Sequence, residues 1–243
     1  MDRMIYLSMT GAKANMERQD VLSHNLANAS TNGFRAEMQA YRAVPVRGDG
    51  ASTRVYALET TLGYDDAAGP VTVTGSPLDV AMQGRAWMAV QGLDGTEAYT
   101  RMGSLTIDAE GNLKTQSGLP VMGDGGPIVM PPDTTPSIAP DGTISAKQAN
   151  GKSTPVGKIK MVTPETKLVR GDDGLFRSAE GADLSADPNA RLQDGALEGS
   201  NVSAVGTMVA MIAAARQFEA QMKLMQTAER DEQAAQRLLS MNG

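Results

Sequence analysis

Residues Asn201–Met241 read NVSAVGTMVAMIAAARQFEAQMKLMQTAERDEQAAQRLLSM. Val205, Met208, Ile212, Ala215, Phe218, Met222 and Met225 follow one another at steps of three or four, which holds them along one face of an α-helix. Past Met225 the stripe thins at Glu229 and Glu232, then resumes at Ala235 and Leu239. An unbroken helix of this extent would be roughly 60 Å long. That exceeds an ordinary globular helix and points to a coiled-coil seam.

The opposite end of the chain carries a matching stripe: Ile5, Met9, Ala12, Met16, Gln19, Leu22 and Leu26. Between the two, helix breakers accumulate. All 12 prolines of the 243-residue chain lie from Pro45 to Pro188, and of 26 glycines only Gly11, Gly33, Gly206 and Gly243 fall outside 34–200. Proline interrupts helix interiors and glycine weakens them, so the ends are free to be helical and the middle is not. Turn chemistry recurs in the middle at Leu93-Asp94-Gly95-Thr96, Asp108-Ala109-Glu110-Gly111-Asn112, Pro140-Asp141-Gly142-Thr143 and Asp172-Asp173-Gly174-Leu175. Short β-prone runs at 87–90, 104–107 and 157–162 flank these turns, as serial hairpins require. The expected fold is α+β, with N- and C-terminal helices paired as a coiled-coil-like layer and a central antiparallel β domain. Residues 1–34 and 200–243 make the discontinuous helical domain, 35–75 an extended connector, and 76–199 the β-rich domain.

Charge divides the same way. Lys and Arg number 22 against 28 Asp and Glu. Residues 1–30 carry three of each sign and 201–243 four of each, so the whole net charge of −6 falls in the middle. Neutral ends suit dense packing against neighbours, and an acidic middle suits a solvated face. Nothing supplies a basic footprint for a nucleic acid. The absence of cysteine excludes disulfides, a thiolate zinc site and a cysteine nucleophile, while a single histidine, His24, excludes a multi-histidine metal site within one chain. No apolar run is long enough to span a bilayer. Met1-Asp2-Arg3-Met4-Ile5-Tyr6 lacks the pattern of a cleaved secretory signal, so any export is expected to leave the chain uncut.

Catalytic motifs fail in turn. There is no G-x-S-x-G elbow, no Walker loop and no G-x-G-x-x-G opening a helix. Gly123-Asp124-Gly125-Gly126-Pro127 reads as a turn, because proline follows where a phosphate-holding helix would start. Asp65-Asp66 and Asp172-Asp173-Gly174 lack the spacing of a calcium loop. Arg47-Gly48-Asp49 and Arg170-Gly171-Asp172 match an adhesion tripeptide, but these are common loop residues. His24 reads as a half-exposed polar contact. With 28 acids some carboxylate pair in space is always allowed, though no positive sign supports one. No catalytic residue, metal or cofactor is expected.

Two junctions are informative. Leu22-Ser23-His24-Asn25-Leu26-Ala27-Asn28-Ala29-Ser30-Thr31-Asn32-Gly33-Phe34 ends the first helix with local hydrogen-bonding residues, a glycine suited to positive φ, and an apolar residue to pack back. Leu197-Glu198-Gly199-Ser200-Asn201-Val202 precedes the last helix, with Ser200 or Asn201 as cap and Glu198 near its positive end.

These strings carry a resemblance. Asn25-Leu26-Ala27-Asn28-Ala29-Ser30-Thr31 with Gly33-Phe34 resembles the N-terminal signature of the flagellar rod, hook and hook-associated axial proteins. Gly75-Ser76-Pro77-Leu78-Asp79-Val80-Ala81-Met82-Gln83-Gly84, continued by Tyr99-Thr100-Arg101-Met102-Gly103, resembles their central segment. Ser200, Asn201 and Val202 after Leu197-Glu198-Gly199, followed by Ala215-Arg216-Gln217-Phe218-Glu219-Ala220, resemble their C-terminal signature. The length, the short connector and the opening residues are most similar to proximal-rod members of the basal-body rod family. One departure is Asn32, where the family has proline before Gly-Phe. The resemblance implies a structural subunit of the flagellar basal-body rod, crossing the periplasm. It also implies delivery by the flagellar type III export apparatus without cleavage, assembly with its own copies and other rod proteins, and no membrane insertion. A distal-rod subunit and a secreted β-rich adhesin are the alternatives.

Neither terminal helix has the burial to be stable alone. Both ends are expected to be largely disordered in the free monomer and to order on assembly, while the β domain folds by itself. Nine of the 16 methionines fall in the two terminal stretches, where flexible thioethers suit contact with non-identical surfaces.

Overall fold

Runs of alternating burial between glycine turns build a chain of short strands, and two uninterrupted segments build the helices. The computed structural model describes residues 2–45, 55–148 and 151–241. Helix α1 spans Asp2–Ala27 and α2 spans Ala204–Met241, with all described strands between them. The chain divides into two compact units: 1–29, 37–62 and 202–243 form a terminal unit, and 30–36 with 63–201 form a central unit.

In the central unit β3 (Val71–Val73), β4 (Val80–Met82), β5 (Trp87–Gln91), β6 (Glu97–Thr100), β7 (Leu105–Ile107) and β8 (Leu113–Thr115) open the β region. A five-stranded sheet runs in the order Met161–Val162, β5, β6, Phe176–Arg177, Val169–Arg170. Its pairs are antiparallel, with Met88 opposite Thr100 and Phe176 opposite Tyr99. A three-stranded antiparallel sheet joins Thr135–Ile138, Thr143–Lys147 and Ser153–Lys158. Strand β5 is buried on both faces, and its period of two sends successive side chains into two cores. Met88 and Val90 enter a cluster with Val80, Leu105, Val121 and Ile144, while Trp87 and Ala89 enter another with Tyr64, Tyr99 and Phe176. In the second cluster Tyr64 meets Trp87 edge-on at 5.7 Å and Phe176 at 4.8 Å.

The expected turns form by one repeated device. Asp94, Asp141 and Asp173 each precede a glycine of positive φ, and each accepts the N–H two residues on, at Thr96, Thr143 and Leu175. Gly123–Pro127 is likewise a hairpin turn, pairing Met122–Gly123 with Gly126–Pro127.

The extended connector expected over 35–75 is divided differently. Strands β1 (Glu37–Pro45) and β2 (Val55–Tyr64) form a two-stranded sheet, and residues 37–62 group with the terminal helices. The cause is a local bracket. The Asn25 side chain accepts from Glu37 N–H at 2.8 Å and donates to Glu37 C=O at 3.0 Å, mimicking a strand partner at the end of α1. Tyr41 adds a bond from its hydroxyl to Ala14 C=O at 2.7 Å.

The turn aspartates set a pH dependence. Hydrogen bonds from Thr96 and Thr143 hold the Asp94 and Asp141 carboxyls below their ordinary values, and Arg177 does the same for Asp173. A carboxyl lowered in the folded state stabilises fully above its unfolded pKa, about 3.9, and that contribution is lost as pH falls through the lower folded value. Thermal unfolding followed by near-UV dichroism at Trp87 should therefore be insensitive to these groups from pH 7 to about 5, then lose midpoint progressively below about pH 4.

Candidate functional site

The strings at the three motif positions converge on one buried cluster in the central unit. Glu198 is 2 % exposed and lies between two guanidiniums, Arg35 and Arg101, which are 2 % and 3 % exposed. Arg35 Nη2 is 2.8 Å from Glu198 Oε1, and Arg101 Nε is 2.7 Å from Oε2. Gly69 N–H donates to Oε1 at 3.0 Å. Arg101 also donates to the carbonyls of Gly84, Ala86 and Met82 at 2.7 to 3.0 Å and lies over the Trp87 ring. Arg35 donates to Ala67 C=O, but its buried Nε has no hydrogen-bond partner among the described residues. Burial and then the like charge of Arg101 lower the pKa of Arg35.

The neighbouring motif residues close this cluster. Gly33 has φ 71°, and its N–H donates to Glu198 C=O at 2.7 Å. A Cβ there would sit 2.3 Å from the Arg101 carbonyl carbon, so glycine is required by both conformation and space. Phe34 N–H returns to Thr31 C=O at 3.3 Å, which makes 31–34 a β-turn with Asn32 at its second position. Proline is favoured at that position, and asparagine fits it as well. Phe34 is buried under Arg170, whose guanidinium lies 4.5 Å from the ring centre. Asn201 accepts from Ala36 N–H at 2.7 Å and donates to Asp65 and Ala67 carbonyls. Asp79 accepts the Thr74 hydroxyl at 2.6 Å, Pro77 is exposed, and Leu78 packs against the larger apolar cluster.

Two expectations for the last junction are corrected here. The cap of α2 is Ser203, whose hydroxyl accepts from Gly206 N–H at 3.2 Å, and neither Ser200 nor Asn201 serves. Ser200 is buried, Val202 half-buried, and Asn201 is engaged as a strap. Glu198, expected to serve the positive end of α2, is committed to the two arginines. At the first junction Asn28 closes α1, its side chain donating to His24 C=O at 2.9 Å, while Ala27 is exposed. His24 Nδ1 is 3.3 Å from Glu37 Oε2 on an exposed face. Arg170 of the second tripeptide is taken up by Phe34 and Phe176, and Arg47-Gly48-Asp49 lies outside the described residues.

On the helices, burial runs along small side chains. Ala12 and Ser8 are buried on α1, and Ala214 and Ala228 on α2. Of the stripe residues, Ile5, Leu22 and Leu26 are half-buried, as are Ala215, Phe218, Met222 and Met225. Met9 and Met16 are more than half exposed, and Val205, Met208 and Ile212 are 74, 50 and 56 % exposed. Among the described residues no group of His, Asp and Glu is placed to hold a metal ion.

Three family models match the chain in order. They are the flagella basal body rod protein model over 5–35, the flagellar hook protein FlgE/F/G D1 domain over 81–146, and the flagellar basal body rod FlgEFG protein C-terminal model over 193–238. The flagellar basal-body rod protein FlgF of Escherichia coli K12 is 46 % identical over 252 aligned residues covering all of both chains. The chain belongs to the flagellar basal-body rod protein family. The FlgF protein of Salmonella typhimurium LT2 is 45 % identical, again over all of both chains. The rod protein FlgG of Buchnera aphidicola (Acyrthosiphon pisum strain APS) is 31 % identical over 93 % of this chain and 95 % of its own. This rod protein is thus a structural subunit of the flagellar basal body and not an enzyme. Each matched model contributes one charge to the cluster: Arg35, Arg101 and Glu198.

Removing Glu198 leaves two buried cations without their counter-ion. Glu198→Ala should cost about 3–5 kcal/mol in urea unfolding of the rod protein, the range for breaking a buried pair on one side. Substitution of exposed Glu180 should stay within about 0.5 kcal/mol.

Proposed function

We propose that this subunit polymerises through its terminal helices to build the proximal segment of the rod, linking the motor base to the distal rod and hook and passing torque between them. The observation that carries this is the outward apolar face of the helices. Tyr6, Met9 and Met16 on α1, and Val205, Met208, Val209, Ile212 and Leu224 on α2, are all half or more exposed. Exposed apolar surface of this kind marks a protein–protein contact. Within one chain the helices pair as a coiled-coil-like layer through small residues. Gly11 supports this, because a Cβ there would lie 3.1 Å from Gln221 Cδ. The large side chains then remain for other copies and other rod proteins.

Residues 1–34 with 200–243 act as the assembly domain and 76–199 as the β body. The seam consists of Ile5, Met9, Ala12, Met16, Leu22, Leu26, Val205, Met208, Ile212, Ala215, Phe218, Met222 and Met225. Contacts between unlike patches that do not close into a ring generate a helical filament, as a rod requires. Identity of 46 and 45 % to the FlgF proteins of Escherichia coli and Salmonella typhimurium, against 31 % to the Buchnera aphidicola FlgG, favours the proximal over the distal segment. Delivery by the flagellar type III apparatus without cleavage agrees with helices that are marginal alone. Among the described residues no helix is long and apolar enough to cross a membrane.

Ile212→Ser tests the seam. The side chain is exposed in the single chain, so monomer unfolding should shift by no more than about 0.5 kcal/mol. Incorporation into basal bodies, scored by electron microscopy of a complemented deletion strain, should fall severely. Wild-type rods from this variant would refute the seam.

A further inference from the structure

The two arginines of the buried cluster are not equivalent. Arg101 is held by the carboxylate and three carbonyls, all within the central unit, and covers Trp87. Arg35 has Glu198 and Ala67 C=O, a buried Nε without a partner among the described residues, and a like charge beside it. The cluster holds two cations for one anion, and Arg35 is the cation it satisfies less well. If Arg35 left, Arg101 and Glu198 would remain as a neutral, hydrogen-bonded pair.

The segment that Arg35 belongs to is docked both by earlier parts of the chain and by its far end: Ala36 C=O accepts from Asp65 N–H at 2.8 Å, Arg35 C=O accepts from Arg170 at 3.2 Å, and Arg170 covers Phe34. Gly33 N–H binds Glu198 C=O, Phe34 C=O accepts from Asn201 N–H at 3.3 Å, and Ala36 N–H binds the Asn201 side chain. The Arg35 side chain itself binds Glu198. Residues 198–201 therefore supply the last part of the seat for residues 33–36, and a chain made from its N-terminus carries the segment long before it carries that part.

We propose that Arg35 and Glu198 form a completion latch. Residues 33–36 complete their docking into the central unit only when residues 198–201 are in place, and they release at Arg35 while the rest of the unit stays folded. Closing the latch fixes the link that follows α1 at the same cluster as the link that precedes α2, so only a complete subunit presents both helices from anchored links. This consequence for assembly rests on the helix-seam reading above. The latch itself is a property of the monomer.

The test is Arg35→Gln in the full chain, read by amide hydrogen exchange of the monomer and by incorporation into basal bodies. Gly33 and Ala36 amides should exchange at least about tenfold faster than in the wild type, because local opening sets their rate. Val121 and Ile159, whose amides bond Leu113 and Gly142 carbonyls in the β core, should be unchanged. Incorporation should fall. Unchanged protection at Gly33 and Ala36 would overturn the latch. So would loss of protection at Val121 and Ile159, or failure of the variant to fold, since the segment would then be inseparable from the unit. Exchange as expected with normal incorporation would remove the latch from assembly. Ile212→Ser, run in parallel, shows separately whether the helix seam stands.

Discussion

A carboxylate enclosed by two guanidiniums away from water fixes how distant parts of the central unit meet. Coulomb attraction between buried charges is strong, but so is the loss of their hydration, and such pairs contribute little net stability on average. What the cluster supplies is uniqueness. Glu198 has one carboxylate with two oxygens, and each is committed: Oε2 to Arg101, Oε1 to Arg35 and Gly69. Any slip of residues 196–201 against their partners would leave a buried ion uncompensated, which costs far more than a misplaced apolar side chain. The pairing of Ala196, Leu197 and Glu198 with Val73, Thr72 and Val71 is thereby fixed in register.

That constraint explains why glycines crowd around it. Gly69 approaches so closely that a Cβ would lie 2.0 Å from Gly199 C=O, and one at Gly103 would lie 1.6 Å from Val80 C=O. Backbones must come together here because the ion cluster draws three distant parts of the chain to one point. The apolar cores then fill on either side of β5, and Tyr64, Trp87 and Phe176 pack as a mutually edge-on or tilted trio. The polar centre sets the register, and the apolar clusters add the burial that makes the register stable.

Local signals were legible in the sequence, and long-range ones were not. Asp94-Gly95, Asp141-Gly142 and Asp173-Gly174 announce their turns because aspartate accepts a nearby N–H and glycine takes positive φ, both within four residues. The two helices follow from breaker distribution and spacing. The Arg35–Glu198–Arg101 cluster leaves no such trace, since a charge that will be buried looks like one that will be solvated until its partner is known. Only the placing of each charge within or beside a family string pointed there. Ser203 as cap, Asn25 as a bracket for Glu37 and the division of the connector were missed for the same reason: several hydrogen-bonding residues were available, and tertiary contacts chose among them. On α2 the periodicity defined an apolar stripe, but Thr207, Met211, Ala214, Gln221 and Ala228 on the adjoining line have no more than half their surface exposed.

This offset between stripe and buried line bears on how a filament subunit divides its apolar surface. Burying a Val, Met or Ile side chain contributes about 1.5–3 kcal/mol. Had Val205, Met208 and Ile212 packed inside the chain, that stabilisation would already be used in the monomer, and contact with a neighbour would add little. On the proposed seam, Val205, Met208 and Ile212, half or more exposed on the single chain, leave that gain to be realised between subunits. Residues 201–243 carry four charges of each sign, so no net repulsion opposes bringing these helices together. On that proposal a helix covered by several neighbours gains more than one covered by a single neighbour, which favours growth at an end over scattered aggregation.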